Sequence, residues 1–291
     1  MKVAYQGVPG AYSEMASRAL FPGCAPVPCE TFDDVFAAVE GKKADRGVIP
    51  VENSLGGSIH HNYDLLARHA LTITREGYLR VQHALMARPG TRLSGLRAVL
   101  SHPQALAQCS DFFAGHPGIK AIPWYDTAGA ARSLAEDAKA GKGPESAPQI
   151  PFRSDEVGVI ASELAAEIYG LNILKRKLQN RADNYTRFLA IARKPERLPA
   201  EAPLKTSVTF VPVRNRAGVL HAITGLFAER GIDLTKIESR PDPEKPFDYR
   251  FYLDMSGGQR DPRIREALAG LEGLTRTLRV LGSYPRAKLP K

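Results

Sequence analysis

The amino-acid sequence predicts an α/β protein in which a two-lobed unit around a cleft is followed by a smaller α/β unit. Up to residue 194, short apolar segments alternate with helical patterns, which is the order of βαβ units. Residues 195–204 contain three prolines and are predicted to form a linker. Beyond them the pattern is β-α-β-β-α-β, the order of a ferredoxin-like domain.

The composition is that of an ordinary globular protein and argues against several functional classes. The 291 residues are 43% hydrophobic and 24% charged, and this length suits two domains. No run of about 18 apolar residues occurs, so we expect no membrane partner. The chain enters a predicted strand directly after Met1, from which we expect no leader peptide and a cytoplasmic location.

The net charge of +9 is spread along the chain. The Lys and Arg residues form no long basic block and no nucleic-acid motif accompanies them, so we expect no nucleic-acid partner. A small anionic substrate could use the same excess of positive charge.

Neither the cysteines nor the histidines predict a metal site. The three cysteines are Cys24, Cys29 and Cys109, an odd number without a CxxC motif, which supports neither a disulfide framework nor a zinc site. His60 and His61 are adjacent in a predicted helix and therefore point in different directions. We expect no metal and no cofactor.

Polar or small residues occupy four junctions at which a predicted strand leads into a helix. Free backbone N–H groups point outward at helix starts and favour anions, so four such starts predict a cleft that binds carboxylates. A carboxylate at the end of a buried strand, as at the second junction, is costly unless it is paired. Bland loops also use Ser and Asn, which is the alternative interpretation. The candidate residues are Ser13 at the first junction, Glu52, Asn53, Ser54, Gly57 and Ser58 at the second, Ser101 and Gln104 at the third, and Thr127 and Ala128 at the fourth.

The segment Asn184-Tyr-Thr-Arg-Phe188 opens an apolar run that predicts a buried strand. Thr186 and Arg187 pair a hydroxyl with a guanidinium, which a strand that only fills a core does not need. Ligands of α/β domains gather where strands end. A solvated strand start with a capping Thr is the alternative.

Taken together, these segments resemble the prephenate dehydratases and the closely similar plant arogenate dehydratases. The matching motifs follow the family's order over nearly the whole chain and occupy residues 3–13, 49–59, 101–106, 126–131, 184–188, 235–241 and 281–285. The resemblance implies a catalytic domain at 1–194, similar in architecture to periplasmic binding proteins. Its lobes would be 1–75 plus 172–194, and 76–171. An ACT regulatory domain would follow at 205–291.

The resemblance also implies an activity, the loss of water and CO₂ from prephenate to give phenylpyruvate. Thr186 is then the expected proton donor or relay for the departing hydroxyl, and Glu52 is the candidate that lends it acidity. Arg187 would pair with a substrate carboxylate or brace the cleft. The remaining residues expected to contact substrate are Ser13, Asn53, Ser54, Gly57, Ser58, Ser101, Gln104, Thr127, Ala128, Asn184 and Phe188.

For the ACT domain the resemblance implies an allosteric site for L-phenylalanine and a homodimer or homotetramer. The expected ligand contacts are Gly218, Val219, Leu220, Asp233, Leu234, Glu238, Ser239 and Arg240. One motif departs from the family, because Gly-Ala-Leu-Val is replaced here by Gly-Val-Leu-His at 218–221. This departure bears on how strongly L-phenylalanine would inhibit the enzyme.

Two alternatives stay open at this stage. The substrate could be arogenate, which carries an amino acid where prephenate carries a keto acid. The chain could also be a non-enzymatic amino-acid sensor, although such a protein would not need the intact Asn-x-Thr-Arg-Phe motif.

Overall fold

A computed structural model describes residues 1–140, 152–199, 201–242 and 245–289, and they form three β-sheets with helices packed against them. Residue 200 of the expected linker lies outside the described residues. The strands are β1 Lys2–Gln6, β2 Ala25–Cys29, β3 Arg46–Asn53, β4 Gly57–Ser58, β5 Thr72–Arg80, β6 Ala84–Ala87, β7 Ala98–Ser101, β8 Lys120–Pro123, β9 Val157–Ala161, β10 Asn172–Lys175, β11 Tyr185–Ala192, β12 Leu204–Pro212, β13 Leu234–Pro241, β14 Tyr249–Ser256 and β15 Thr275–Pro285. The α-helices are α1 Tyr12–Leu20, α2 Phe32–Glu40, α3 His60–Arg68, α4 Pro103–Gln108, α5 Ser110–Ala114, α6 Thr127–Ala140, α7 Glu163–Tyr169, α8 Val219–Ala228 and α9 Pro262–Leu274.

The first lobe is built on a sheet of order β2-β1-β3-β11-β5, with β4 attached to β3. Strand β1 runs parallel to β2 and β3, whereas β11 is antiparallel to both β3 and β5. Helix α2 packs its buried side chains Val35, Phe36 and Val39 against this sheet. Thr31 caps that helix, since its side chain accepts a hydrogen bond from the N–H of Asp34.

The second lobe contains a sheet of order β10-β6-β9-β7-β8. The strands of this sheet correct the predicted limits of the two lobes, 1–75 plus 172–194 and 76–171. Strand β5 continues to Arg80 within the first sheet, and β10, at Asn172–Lys175, pairs with β6 in the second. The apolar pattern of residues 172–175 predicts a strand but not the sheet edge with which it pairs, so the return to the first lobe comes later than expected, at β11.

The third sheet has the order β13-β14-β12-β15 and is antiparallel throughout. With α8 and α9 it has the predicted β-α-β-β-α-β order, and its core is formed by apolar side chains between the helices and one face of the sheet. Tyr252, Leu281 and Tyr284, from β14 and β15, join the apolar core of the first lobe. Gly282 makes this contact possible, because a Cβ atom there would collide with the Ile73 carbonyl oxygen of β5.

None of the helices within the described residues is both long enough and apolar enough to cross a membrane.

Candidate active site

A cavity of about 220 Å³ lies between the two lobes and is the candidate active site. Its walls come from strands β1, β3 and β11 of the first sheet, from the segments that precede β6 and follow β7 in the second lobe, and from helices α1, α4 and α6. Six predicted contact residues line it, namely Ser13, Asn53, Gln104, Thr127, Thr186 and Phe188. Twelve further residues line it that were not among the predicted contacts, namely Gln6, Gly7, Ala11, Tyr12, Pro50, Ile59, Val81, His83, His102, Ala105, Gln108 and Asp126.

Thr186 and Asn53 face each other across neighbouring strands. They are direct partners in the β11–β3 register, and the Asn53 Nδ2 donates a hydrogen bond to the Thr186 Oγ1 at 3.0 Å. Successive side chains of a strand point to opposite faces. Since Asn53 and Thr186 point into the cleft, their neighbours Glu52 and Arg187 point away from it.

The orientation of the Asn53 amide is set by its backbone partners. Its Oδ1 accepts hydrogen bonds from the N–H groups of Leu55 at 3.1 Å and Gly56 at 2.7 Å. The Nδ2 must therefore be the group that faces Thr186 and the Asn184 Oδ1, which lies 2.8 Å away. Because the Thr186 oxygen accepts from Asn53, the hydroxyl proton of Thr186 is free to be donated into the cleft.

A chain of polar side chains continues from Asn184 to the far wall of the cleft. The Asn184 Nδ2 donates to the Gln108 Oε1 at 2.8 Å, and the His83 Nε2 lies 2.9 Å from the same oxygen. The His83 Nδ1 lies 2.9 Å from the Tyr12 hydroxyl. Burial lowers the pKa of His83 and raises that of Tyr12 well above its usual value, so both groups are neutral in the unliganded cleft near neutral pH.

These three residues were missed by sequence reasoning for different reasons. Gln108 lies four residues after Gln104 on α4, so the helical repeat places both amides on one face, a signal that could have been used. Tyr12 lies in the first glycine-containing motif, and its ring could equally have filled a core. His83 lies in an extended segment between β5 and β6 and has no local sequence signal.

The cleft contains no strong base among its described lining residues. No Lys or Arg lines it, and its ionisable nitrogen bases are His83 and His102. Burial lowers the pKa of His102, with Asp126 acting in the opposite direction. Asp126 is the carboxylate of the lining, and its Oδ1 accepts a hydrogen bond from the Gly129 N–H at 2.5 Å in the first turn of α6.

Five of the predicted contact residues support the wall of the cleft and do not line it. The buried Ser101 donates its hydroxyl to the Ile160 carbonyl at 2.6 Å, and Ala128 lies in the apolar core of the second lobe. Asn184 lies behind Asn53. Ser54 donates to the Asp183 carbonyl at 2.9 Å, and Gly57 pairs with Asn53 in the β3–β4 ladder. The hydroxyls of Ser101 and Ser54 are thus taken up by backbone carbonyls, and none of the five residues lines the cavity.

Glu52 and Ser58 face the third sheet, which corrects their predicted place in the cleft. The Lys236 Nζ of β13 lies 3.2 Å from the Glu52 Oε1 and donates to the Ser58 Oγ at 3.0 Å. Ser58 in turn donates to Glu238. Glu52 therefore lies on the opposite side of β3 from Thr186, where it cannot lend acidity to that hydroxyl.

Arg187 belongs to a buried charge cluster between the first lobe and the third sheet, which corrects the first of its two predicted roles, pairing with a substrate carboxylate. Its guanidinium lies 2.8 Å from Glu76 of β5 and also pairs with Asp254 of β14. Lys205 of β12 donates to the same Glu76 oxygen at 2.8 Å, and Tyr284 accepts from Arg187 at 3.1 Å. Two cations thus meet two carboxylates, which we call the interdomain charge cluster (Arg187, Glu76, Asp254 and Lys205).

Charge pairing in this cluster opposes the effect of burial. Burial disfavours the charge of Arg187, but Asp254 and its other acidic neighbours hold the pKa of Arg187 well above its usual value. Lys205 has a lowered pKa because burial and the neighbouring Arg187 charge outweigh its pairing with Glu76.

The residues predicted to bind L-phenylalanine fall into two groups. Gly218 caps α8 with a φ of 79°. The other members of the first group lie on α8, on β13 and just before β13, and their side chains are exposed or half-buried: Val219, Leu220, Asp233, Leu234 and Ser239. Glu238 and Arg240 instead face the first lobe, where Arg240 pairs with Asp64 at 2.9 Å. Because successive side chains of β13 point to opposite faces, Ser239 lies on the other face of the strand from Glu238 and Arg240.

Known protein families match both parts of the chain. The family model for prephenate dehydratase matches residues 3–196, and the model for the ACT domain matches residues 207–273. The arogenate dehydratase/prephenate dehydratase 2 of Arabidopsis thaliana is 46% identical, over 98% of this chain and 73% of the relative. Arogenate dehydratase 2 of Petunia hybrida is 44% identical, over 98% and 72%.

Solved structures with a similar fold cover the same length. The prephenate dehydratase of Arthrobacter aurescens in complex with L-Phe has a TM-score of 0.85 and 31% identity, over 98% of this chain and 90% of that one. GqqA, described as a novel type of quorum quenching acylase, has a TM-score of 0.86 and 33% identity, over 99% and 98%. With family models over both parts and relatives above 40% identity along nearly its whole length, the chain belongs to the prephenate dehydratase family and carries a C-terminal ACT domain.

Proposed function

We propose that this enzyme converts prephenate to phenylpyruvate in the cleft between its lobes. The ring C–O bond breaks and the hydroxyl leaves as water after gaining a proton. The bond from the ring to its carboxylate breaks and releases CO₂, and that electron pair completes the aromatic ring. One proton is consumed, and the substrate's charge falls from −2 to −1.

The observation that carries the proposal is the hydroxyl of Thr186. The Asn53 Nδ2 donates a hydrogen bond to the Thr186 Oγ1 at 3.0 Å, so the Thr186 hydroxyl can donate its own proton to a group in the cleft. A hydrogen bond donated to the departing hydroxyl strengthens as that oxygen gains charge in the transition state. Asn53 is therefore the positioning residue, and Thr186 is the group that touches the leaving oxygen.

The carboxylates of the substrate are held by neutral donors in this proposal. The first turns of α1 and α6 bring Ser13 and Thr127 to the cavity wall, where helix N-termini favour anions. The amides of Gln104 and Gln108 lie on the wall formed by α4. The side-chain carboxylate persists through the reaction and needs these donors throughout, whereas the ring carboxylate leaves as CO₂.

Arogenate is the second candidate substrate, and Asp126 is the observation that favours it. Arogenate carries an ammonium group at the position where prephenate has a ketone, and a carboxylate in the lining can pair with that cation. We expect Asp126→Asn to lower kcat/KM for arogenate by about tenfold relative to prephenate, because it removes roughly one charge-assisted hydrogen bond. Equal loss for both substrates would refute this role.

Acyl transfer, suggested by the description of GqqA, is not favoured by the cleft. A threonine nucleophile needs a base within hydrogen-bond reach. Among the described residues, the hydrogen-bond partner of the Thr186 Oγ1 is the amide donor of Asn53, which cannot accept its proton.

We propose further that the catalytic domain spans 1–194 and the ACT domain 205–291, and that the latter binds L-phenylalanine in a homodimer or homotetramer. The family models at 3–196 and 207–273 support these limits. Strand β13 is a sheet edge with Ile237 exposed, and Leu220 on α8 is also exposed. Exposed apolar groups beside a free edge favour pairing with a second copy.

The test is turnover of prephenate and arogenate side by side, each with and without L-phenylalanine, with the mass of the assembly measured by light scattering. We expect phenylpyruvate from prephenate and a change of rate with L-phenylalanine. A folded protein that binds L-phenylalanine but turns over neither substrate would favour the amino-acid sensor.

A further inference from the structure

His83 ends the polar chain that begins at Thr186, and both of its ring nitrogens have partners. The residue is 2% exposed, yet it forms part of the cavity wall. Its Nε2 lies 2.9 Å from the Gln108 Oε1, and its Nδ1 lies 2.9 Å from the Tyr12 hydroxyl. The proton positions on this ring follow from the rest of the chain.

The proton on the His83 Nε2 is determined by the amides. Because backbone N–H groups fix the oxygen of Asn53, its nitrogen faces the Asn184 Oδ1, and the nitrogen of Asn184 then faces Gln108. The Gln108 Oε1 thus accepts from Asn184. It cannot donate to His83, so the His83 Nε2 must be the donor.

The His83 Nδ1 faces the Tyr12 hydroxyl, which has one proton to donate and two neighbouring acceptors. The Tyr12 oxygen lies 2.9 Å from the His83 Nδ1 and 2.7 Å from the Gln82 carbonyl oxygen. With a neutral His83, two acceptors compete for the single Tyr12 proton. With a doubly protonated His83, Nδ1 donates to Tyr12 and Tyr12 donates to Gln82, so every group is satisfied.

Burial opposes that second proton in the unliganded cleft. The titratable groups that face His83 or its partners are Tyr12 from α1, Cys109 after α4, and His102 and Asp126 in the cleft lining, with Glu163 of α7 acting on Tyr12. Burial raises the pKa of Cys109 to about 12, so neither this thiol nor Tyr12 provides an anion. None of the hydrogen bonds made by His83 within the described residues goes to a carboxylate.

We propose that His83 takes up a proton when a substrate with two carboxylates enters the cleft, and that the resulting imidazolium positions the substrate. This inference rests on the proposed function. The substrate brings two carboxylates into a cleft whose described lining holds only the carboxylate of Asp126, which makes no hydrogen bond with His83, and the hydrogen-bond chain is already arranged for the charged ring. Since both ring nitrogens are occupied, His83 acts through its charge and through Gln108, whose Nε2 donates to no described residue and is free for the ligand.

Proton uptake on binding is measured by titrating prephenate into the slow Thr186→Ala enzyme in a calorimeter, in two buffers with different heats of ionisation. The steady heat of residual turnover, which itself consumes a proton, is subtracted from the heat of each injection. We expect uptake of up to about one proton between pH 7 and 8, because the ligand raises the His83 pKa. His83→Gln in the same background should abolish it, since Gln keeps an N–H donor for Gln108 but cannot be charged. His102→Gln is the matched control and should keep it.

Steady-state kinetics of the otherwise unaltered enzyme provide the second readout. Each unit by which the His83 pKa in the complex exceeds the working pH contributes about tenfold in affinity. At a pH at least one unit below that pKa, His83→Gln should therefore raise KM by about tenfold or more with a much smaller change in kcat. For the unaltered enzyme, kcat/KM falls as pH rises above the free His83 pKa, which lies below its ordinary value; in His83→Gln this slope disappears.

The outcomes separate this inference from the function on which it rests. No turnover of prephenate or arogenate by the unaltered enzyme would refute the function. Normal turnover, with the same proton uptake and pH slope in folded His83→Gln, would refute the role of His83. Loss of uptake in His102→Gln alone would move the proton to His102 and would equally overturn the proposal. If His83→Gln does not fold, Tyr12→Phe tests the same point, because it removes the acceptor of the second proton.

Discussion

Thr186 and Asn53 form the smallest unit of the proposed mechanism. One amide nitrogen orders a hydroxyl so that its proton points toward the ligand, and two backbone N–H groups order that amide. The unit needs no charged residue, which suits a reaction that aromatisation itself drives. Its weakness is that any change in the polarity of Asn53 redirects the Thr186 proton.

Thr186→Ala should lower kcat by about 10²–10³-fold, the usual cost of removing one donor to a developing negative charge. Thr186→Ser keeps the hydroxyl and should retain most of the activity. Phenylpyruvate formation measures both, and circular dichroism checks the fold. Nearly full turnover by Thr186→Ala would exclude the assignment.

Asn53→Asp should lower kcat nearly as much as Thr186→Ala, although it replaces only the amide nitrogen of the side chain by an oxygen. A carboxylate can still accept from the N–H groups of Leu55 and Gly56, but it has no N–H for Thr186. The Thr186 proton would then be donated to Asp and not to substrate. We expect kcat to fall by about 10²-fold. The melting temperature should also fall, because the new carboxylate oxygen faces the Asn184 Oδ1 and the Tyr185 carbonyl, to which the amide donated. An active Asn53→Asp enzyme would show that the orientation of Thr186 is unimportant.

Strands β3 and β11 link two sites because both of their faces are occupied. One face carries Asn53 and Thr186 in the cleft, and the other carries Glu52 and Arg187 against the ACT domain. A shift of either strand therefore changes both sides at once. This arrangement provides a physical connection through which a ligand of the ACT domain can act on the cleft, provided that its affinity differs between two states.

Glu52→Gln should leave kcat within about threefold of the unaltered enzyme, because its carboxylate faces Lys236 and not the cleft. The response to L-phenylalanine should weaken, since this change removes a charge at the β3–β13 contact. The control is Glu136→Gln, which alters an exposed ion pair with Arg132 on α6. A large loss of kcat in Glu52→Gln would contradict this prediction and would show that Glu52 takes part in the reaction.

The whole molecule is held together by an apolar interface with the interdomain charge cluster buried in it. The side chains of Glu76, Arg187, Lys205 and Asp254 are at most 9% exposed, and their charges balance. Ser207 and Tyr284 add hydrogen bonds from the ACT side. Such a cluster favours one arrangement of the two domains, since any other leaves buried charges unpaired.

Asp254→Asn should destabilise the protein by about 3–5 kcal/mol, because it leaves a buried cation without one of its carboxylates. Thermal or denaturant unfolding measures the change. Asp183→Asn is the control, since Asp183 pairs with Arg181 on the surface and its loss should barely move the melting temperature. Equal stability of both variants would mean that the cluster contributes little.

The sequence by itself determined the alternation of strands and helices, the ferredoxin-like order after the linker, the family and the strand that begins at the Thr186 segment. It could not determine which side chains of β3 and β11 face the cleft. Seven of the eight residues of β11 and six of the eight of β3 are buried, so no alternation of apolar and polar residues shows which face is which. Only the packing of the ACT domain on one face sends Glu52 and Arg187 there and leaves Asn53 and Thr186 for the cleft. The roles of His83 and Gln108 likewise depend on contacts between segments far apart in the chain, which no local pattern contains.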